Sequence, residues 1–198
     1  MDLPYTPIED AFVRLEPLAD RHRQGLAAAC DADPALWTDL YPHSMAGEHF
    51  ESGWKRLRGW EDSGMAQNYA VLLKGEVVGM SCFLLIDHIN DTLEVGHTYY
   101  RPEVRGGMVN PAAKRLLMTR AFEGGARRVM YKVDAINARS RAAVLKLGAV
   151  QEGILRHDRI TWTGRQRSTV VFSILAAEWP DVRDKLERRL EAFAPVPA

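Results

Sequence analysis

Two stretches of the chain combine residue types that could hold a large polyanion and act on a group beside it. The first is Tyr100-Arg101-Pro102-Glu103-Val104-Arg105-Gly106-Gly107-Met108-Val109-Asn110, where a strand passes through glycines into a helix. A helix start presents N–H groups without intrahelical partners and the positive end of the helix dipole, and together these hold an anion such as pyrophosphate. Gly106 and Gly107 let the backbone approach that anion with no Cβ in the way, and Arg105 adds formal charge. Alone, the stretch reads equally well as a glycine turn capped by Asn110. The second stretch runs from Asn137 to Gly153. Asn137 and Ser140 share a helical face, while Arg139, Arg141 and Lys146 carry charge suited to phosphate. Alone, Asn137 is a helix cap and Ser140 bonds its own backbone.

The elements that must position these residues follow from period and punctuation. Ala11–Glu16 alternates as a strand, Asp20 caps a helix through about Cys30, and a second helix runs from about Ala46 to Trp60. Between them, Asp31 to Ser44 is an irregular, aromatic-rich connection holding Trp37, Tyr41 and His43. Asn68–Leu73, Val77–Asp87 and Leu93–Arg101 form an antiparallel meander. A helix opens at Asn110-Pro111, with proline at its favoured first position, and stops at Gly124-Gly125. Arg128–Asp134 is a strand, Asn137–Leu147 a helix closed by Gly148, and Gln151–Trp162 with Ser168–Leu175 a hairpin across Thr163-Gly164. Glu178–Phe193 is a charged helix, and Ala194–Ala198 a frayed tail. This order predicts a mixed α/β layout rather than a doubly wound parallel sheet. All 198 residues form one domain, with an ordered core over about 11–193.

Composition narrows the classes. Lys plus Arg number 26, as do Asp plus Glu, and a zero balance argues against a general nucleic-acid binder. Cys30 and Cys82 build neither a disulfide framework nor a zinc cluster and read as buried thiols. The six histidines have no ligand spacing, so no metal is expected. The N-terminal residues are polar and no apolar run approaches the ~20 residues of a membrane span, so a cytoplasmic protein without membrane partners is expected.

Taken together, the two stretches resemble the GCN5-related N-acetyltransferase (GNAT) superfamily, with the closest likeness to its branch of ribosomal-protein N-terminal acetyltransferases. The acetyl-coenzyme A motif Q/R-x-x-G-x-G/A falls on Arg105 to Asn110. An E-x-G precedes it at Glu94-Val95-Gly96, and an N-x-x-S pattern ending in glycine follows at Asn137, Ser140 and Gly148. Glu152-Gly153, Leu155-Arg156 and Glu178-Trp179-Pro180 complete the series from about Phe12 to the C-terminal helix.

The resemblance implies a central twisted mixed sheet flanked by helices, whose fourth and fifth strands, here Leu93–Arg101 and Arg128–Asp134, splay apart to admit the pantetheine arm. Backbone groups of Tyr99, Tyr100 and Arg101 would pair with the pantetheine. Amides of Arg105, Gly106, Gly107, Met108, Val109 and Asn110 would hold the pyrophosphate. Asn137 would bond the amide chain, with Arg141 and Lys146 adding charge. The implied reaction is acetyl transfer from acetyl-coenzyme A to a primary amine, on a protein N-terminus or a small molecule, by direct attack in a ternary complex. Glu94 is the candidate base, unless it is merely an exposed strand-end residue. Ser140 is the candidate acid, because Leu145 stands where many members carry a tyrosine. His157 on the late hairpin could serve too, whereas His97, mid-strand, reads as packed.

Two positions depart from the motif: Asn110, where it has glycine or alanine, is mild because asparagine caps helices well, and Met108, where it has glycine, is the larger departure. Either its side chain points outward while Gly107 absorbs the unusual backbone angles, or it weakens coenzyme binding. Arg159 stands where ribosomal-type enzymes carry a glutamate, which argues against transferring their substrate to this chain. Homodimerisation through the late strands or C-terminal helix is a further implication. The competing reading is a non-catalytic acyl-coenzyme A sensor or scaffold of the same fold.

Overall fold

The computed structural model describes residues 1–193, and the expected tail, Ala194–Ala198, lies outside the described residues. Among the described residues, eight strands form one sheet: β1 (Ile8–Glu9), β2 (Arg14–Pro17), β3 (Ala66–Leu73), β4 (Glu76–Asp87), β5 (Thr92–Tyr100), β6 (Arg128–Asp134), β7 (Val150–Ile160) and β8 (Gln166–Leu175). Their order is β1-β2-β3-β4-β5-β6-β8-β7, and every neighbouring pair is antiparallel except β5–β6. Six α-helices among the described residues cover it: α1 (Arg23–Asp31), α2 (Pro34–Leu40), α3 (Phe50–Asp62), α4 (Val109–Glu123), α5 (Ala138–Leu147) and α6 (Trp179–Glu191). Alternation along each strand divides the apolar side chains into two cores. Tyr69 and Val71 face α4, α5 and α6, whereas Ala70 and Leu72 face α1, α2 and α3. The mixed α/β sandwich expected from the element order is the observed architecture.

Local hydrogen bonds explain where boundaries differ from expectation. The strand expected over Ala11–Glu16 is β2, which begins at Arg14 rather than Ala11 because the Asp10 carboxylate accepts the Phe12 and Val13 amides at 2.8 Å and bends the chain between β1 and β2. Asp20 does not cap a helix. It lies inside a 3-10 turn, and the His22 ring accepts the Ala19 amide at 3.1 Å before α1 begins. The supposedly irregular connection contains α2, whose cap is Asp33, accepting from the Leu36 amide at 3.3 Å, and whose first residue is Pro34. A 3-10 turn over Gly47–His49 replaces the start of the second expected helix. Helix α4 starts at Val109, so Pro111 is its third residue rather than its first, still within the turn whose amides have no helical partner.

The feature that positions the site is the parting of β5 and β6. They pair only at Thr92–Arg128, Leu93–Val129 and Glu94–Met130. Beyond that point β6 stays with β8 as far as Asp134–Thr169, while β5 stays with β4 as far as Tyr100–Gly79. A bulge accompanies the parting. Met80 faces Tyr99 and Cys82 faces Gly96, so Ser81 alone opposes His97 and Thr98, with His97 at φ +46°. The splay implied by the resemblance is therefore present, and it leaves the β6-facing edge of β5 without a strand partner after Glu94.

Gly79 anchors the far end of this register. A Cβ there would lie 2.0 Å from the Tyr99 carbonyl oxygen and 2.9 Å from the Tyr100 Cα, both backbone atoms that no rotamer change can move. Gly79→Ala is expected to cost about 3 kcal/mol, the upper end of overpacking penalties. That lowers the melting midpoint by roughly 6–12 °C for a chain of this size. A thermal melt checks it, and an unchanged midpoint would contradict this strand register.

Candidate active site

A cavity of about 510 Å³ opens where β5 and β6 separate. One end is built by the turn before α4 and by the start of α5. After a 3-10 turn over Pro102–Val104, Gly106 takes φ +80° and the chain enters α4 with Met108 at the N-cap and no side chain capping it. Arg105, Gly106, Gly107 and Asn110 line this end, as do Asn137, Arg139 and Ser140. The positive φ falls on Gly106, not Gly107. Met108 does not line the cavity; it is half-buried, with its side chain packed against the apolar core beneath α4. The bulky side chain is thus kept out of the cavity lining.

The Arg105 charge is not free. Its Nε donates to the Tyr100 carbonyl at 2.7 Å, its Nη1 pairs with Asp33 Oδ2 at 2.5 Å, and its guanidinium lies 5.4 Å above the Tyr99 ring. Its amide donates to the Pro102 carbonyl at 3.1 Å. Arg105 therefore braces the glycine turn against the cap of α2, a contact between residues 72 positions apart. Tyr99 buries its ring against Trp37 at 4.6 Å, while Tyr100 lines the cavity. Arg101 pairs with Glu76 and Glu103 outside it. Asn137 caps α5 by accepting the Ser140 amide at 2.9 Å and also faces the cavity. Arg141 instead bonds the Ala135 carbonyl, and Lys146 is exposed; neither lines the space. His157 lies exposed on an irregular part of β7, at φ +47°, outside the lining.

The other end gathers Tyr41, His43, Glu94, His97, Lys132, Arg159 and Arg167. Glu94 is 7% exposed, which rules out the exposed strand-end reading. Burial raises its pKa, and Lys132, with Nζ 3.3 Å away, offsets part of that rise. His97 lines the cavity edge-on to Trp60, and burial, with the nearby His43 and Arg56, holds its pKa down to about 4. Of the aromatics expected here, Trp37 is core, Tyr41 lines the cavity and donates to the Thr98 carbonyl, and Trp162 ties the late hairpin to α2 through the Trp37 carbonyl at 3.1 Å.

Lys114, Lys132 and Arg167 are cavity residues that motif reading missed. Lys114 lies one helical turn after Asn110 on the same face, a spacing that could have revealed it. Arg167 stands two residues before Thr169, which faces Asp134, so strand alternation carried the signal. Lys114 Nζ donates to Thr98 Oγ1 at 2.7 Å and sits 5.5 Å from the Tyr131 ring centre. Burial lowers its pKa from 10.5 to about 8. Between those two values the unfolded chain holds a proton that the folded chain has released, so stability from this group rises with pH across that window and is lowest below about 8. Lys114→Met is therefore expected to raise the melting midpoint at pH 7, with the gain shrinking toward pH 10. Melts at both pH values check it, and a gain that grows with pH would contradict the burial of a charged amine.

The family model described as an acetyltransferase (GNAT) domain matches residues 13–150. The chain belongs to this family, as its motifs implied. It is 32% identical over 110 residues to YdaF of Bacillus subtilis, a provisional ribosomal N-acetyltransferase, covering 55% of this chain and 59% of YdaF. It is 27% identical over 93 residues to the ribosomal-protein-serine acetyltransferase of Escherichia coli, covering 47% and 52%. These alignments span between half and three fifths of the curated relatives' lengths and agree with the ribosomal-type branch. A GCN5-related N-acetyltransferase from Brucella melitensis superposes with a TM-score of 0.87 at 29% identity, over 98% of this chain and 88% of that one. Among the described residues, no helix is long and apolar enough to cross a membrane, and no group of three or more His, Cys, Asp or Glu could hold a metal ion.

Proposed function

We propose that this one-domain protein is a cytoplasmic N-acetyltransferase that moves the acetyl group of acetyl-coenzyme A to a primary amine by direct attack within a ternary complex. The observation that carries the reading is the free edge of β5 beyond Glu94, which meets the uncapped start of α4 in one cavity. The edge supplies backbone donors and acceptors for an extended amide chain, and the glycine turn with the helix start supplies amides for pyrophosphate. Asn137 and Arg139 flank that path.

In this reading the amine nitrogen attacks the thioester carbonyl carbon, and the C=O electron pair moves onto oxygen, where backbone donors of β5 stabilise it. Glu94 takes a proton from the nitrogen, directly or through water. Burial raises its pKa and so strengthens it as a base, while the Lys132 ammonium 3.3 Å away offsets part of that rise. As the C–S bond breaks, its electron pair leaves on sulfur, and Ser140 is the cavity hydroxyl from the start of α5 that could return a proton. Exposure of His157 leaves it outside this scheme.

Amine-dependent release of free thiol from acetyl-coenzyme A tests the proposal. Release with a stoichiometric acetylated product is the expected result; coenzyme binding without release from any amine would favour the sensor reading. We also propose a homodimer joined along β7, an edge strand exposed over nearly its whole length, with Ile154, Leu155 and Ile160 facing solvent. Light scattering is expected to give twice the chain mass, and a monomer at micromolar concentration would refute it.

A further inference from the structure

The charged groups at the acceptor end of the cavity do not balance. Glu94 is paired with Lys132, and Asp134 Oδ2 is held by Arg165 Nη2 at 2.5 Å. With Asp158 included, the three carboxylates Glu94, Asp134 and Asp158 face the four cations Lys132, Arg159, Arg165 and Arg167, which leaves one positive charge in excess. The Arg167 side chain is only 6% exposed and donates no hydrogen bond among the described residues; its buried Nε is ion-paired at 3.7 Å, beyond hydrogen-bond distance, with an Asp134 oxygen that Arg165 already engages. Arg159 stands directly opposite it in the β7–β8 register and pairs at 3.4 Å with the adjacent Asp158, whose charge also reaches Arg167. Like charges facing across strands are unfavourable unless something negative lies between them. A guanidinium removed from water with its donors unmatched is costly in the same way. Both side chains line the cavity, and both act electrostatically on Glu94, so an anion between them would sit within reach of the candidate base.

We infer that the acceptor is a small amine that also carries a carboxylate or phosphate group, with Arg167 and Arg159 holding the anionic group while Glu94 faces the amine. The inference rests on the transferase reading for the fate of the amine, but the anion site stands on its own geometry. Arginine presents a planar fork suited to two oxygens of one oxyanion, so a facing pair selects carboxylates and phosphates over neutral or cationic ends. Polyamines and plain alkylamines are therefore poor acceptors.

The test is calorimetric titration of four amines of matched length into protein saturated with coenzyme A: an alkylamine, a diamine, an ω-amino carboxylate and an aminoalkyl phosphate. The two anionic amines are expected to bind at least tenfold more tightly than the others, and the tighter of the two identifies the group preferred. Arg167→Met and Arg159→Gln should each abolish most of that advantage. Arg159 is exposed, so its variant remains informative even if the buried Arg167 variant misfolds. Equal binding of all four, or tightest binding of the diamine, would overturn the inference. Thiol release with acetyl-coenzyme A in parallel samples bears separately on the transferase reading. Anion-selective binding without release would sink that reading alone, and release that ignores the end group, without selective binding, would sink this one alone.

Discussion

Replacing Glu94 with glutamine lowers kcat by about 10²- to 10⁴-fold, the range expected when a positioned proton acceptor is removed. Glutamine keeps the shape and one carbonyl oxygen, so the change removes the base with little change in volume. The pH profile makes the assignment specific. A base must be deprotonated to act, and burial raises the Glu94 pKa, so wild-type kcat/KM should fall on the acid side at a pH above the usual carboxylate range. In Glu94→Gln that acid limb disappears along with the rate. Initial rates across pH settle the matter. An unchanged limb in the variant would assign it to another group, with His43 next to consider, since it lines the same cavity and burial lowers its pKa.

Gly106→Val is expected to weaken acetyl-coenzyme A binding by about tenfold or more while leaving the melting midpoint nearly unchanged. No atom lies within 4 Å of a Cβ built at Gly106, so the substitution meets no steric obstacle. Its whole effect comes from φ +80°, which a β-branched residue adopts at a cost of roughly 1–2 kcal/mol or more. An exposed turn can relieve that strain by moving to another conformation, and the amides before α4 then no longer converge on one point. Titration calorimetry gives the affinity. A wild-type dissociation constant in the variant would mean that this turn does not hold the coenzyme.

The parts of this protein that could be read from its residues are those set by local rules. The meander, the αL-closed helix ending at Gly148, and the glycine passage into α4 all depend on near neighbours, and they appear at about the expected positions. The parting of β5 and β6 was legible only through the order of several spaced motifs, because strand pairing is a long-range property. Helix α2 was hidden among aromatics whose burial depends on Tyr99 and Tyr41 rather than on a period of their own. The Arg105–Asp33 brace and the Lys132–Glu94 pair join residues far apart in the chain, so no spacing could announce them. Met108 illustrates the limit of matching letters to a motif. It stands at the N-cap of α4 as the motif position requires, while its half-buried side chain packs against the core instead of lining the cavity.

The most direct test of the central claim is amide hydrogen exchange with and without acetyl-coenzyme A. Coenzyme seated in the parted strands should slow exchange along the free edge of β5, from Val95 to Tyr100, and in the turn from Gly106 to Asn110, with little change in β1 and β2. Protection confined to other regions, or none at saturating coenzyme, would contradict the placement of acetyl-coenzyme A in this cavity and the transferase reading built on it.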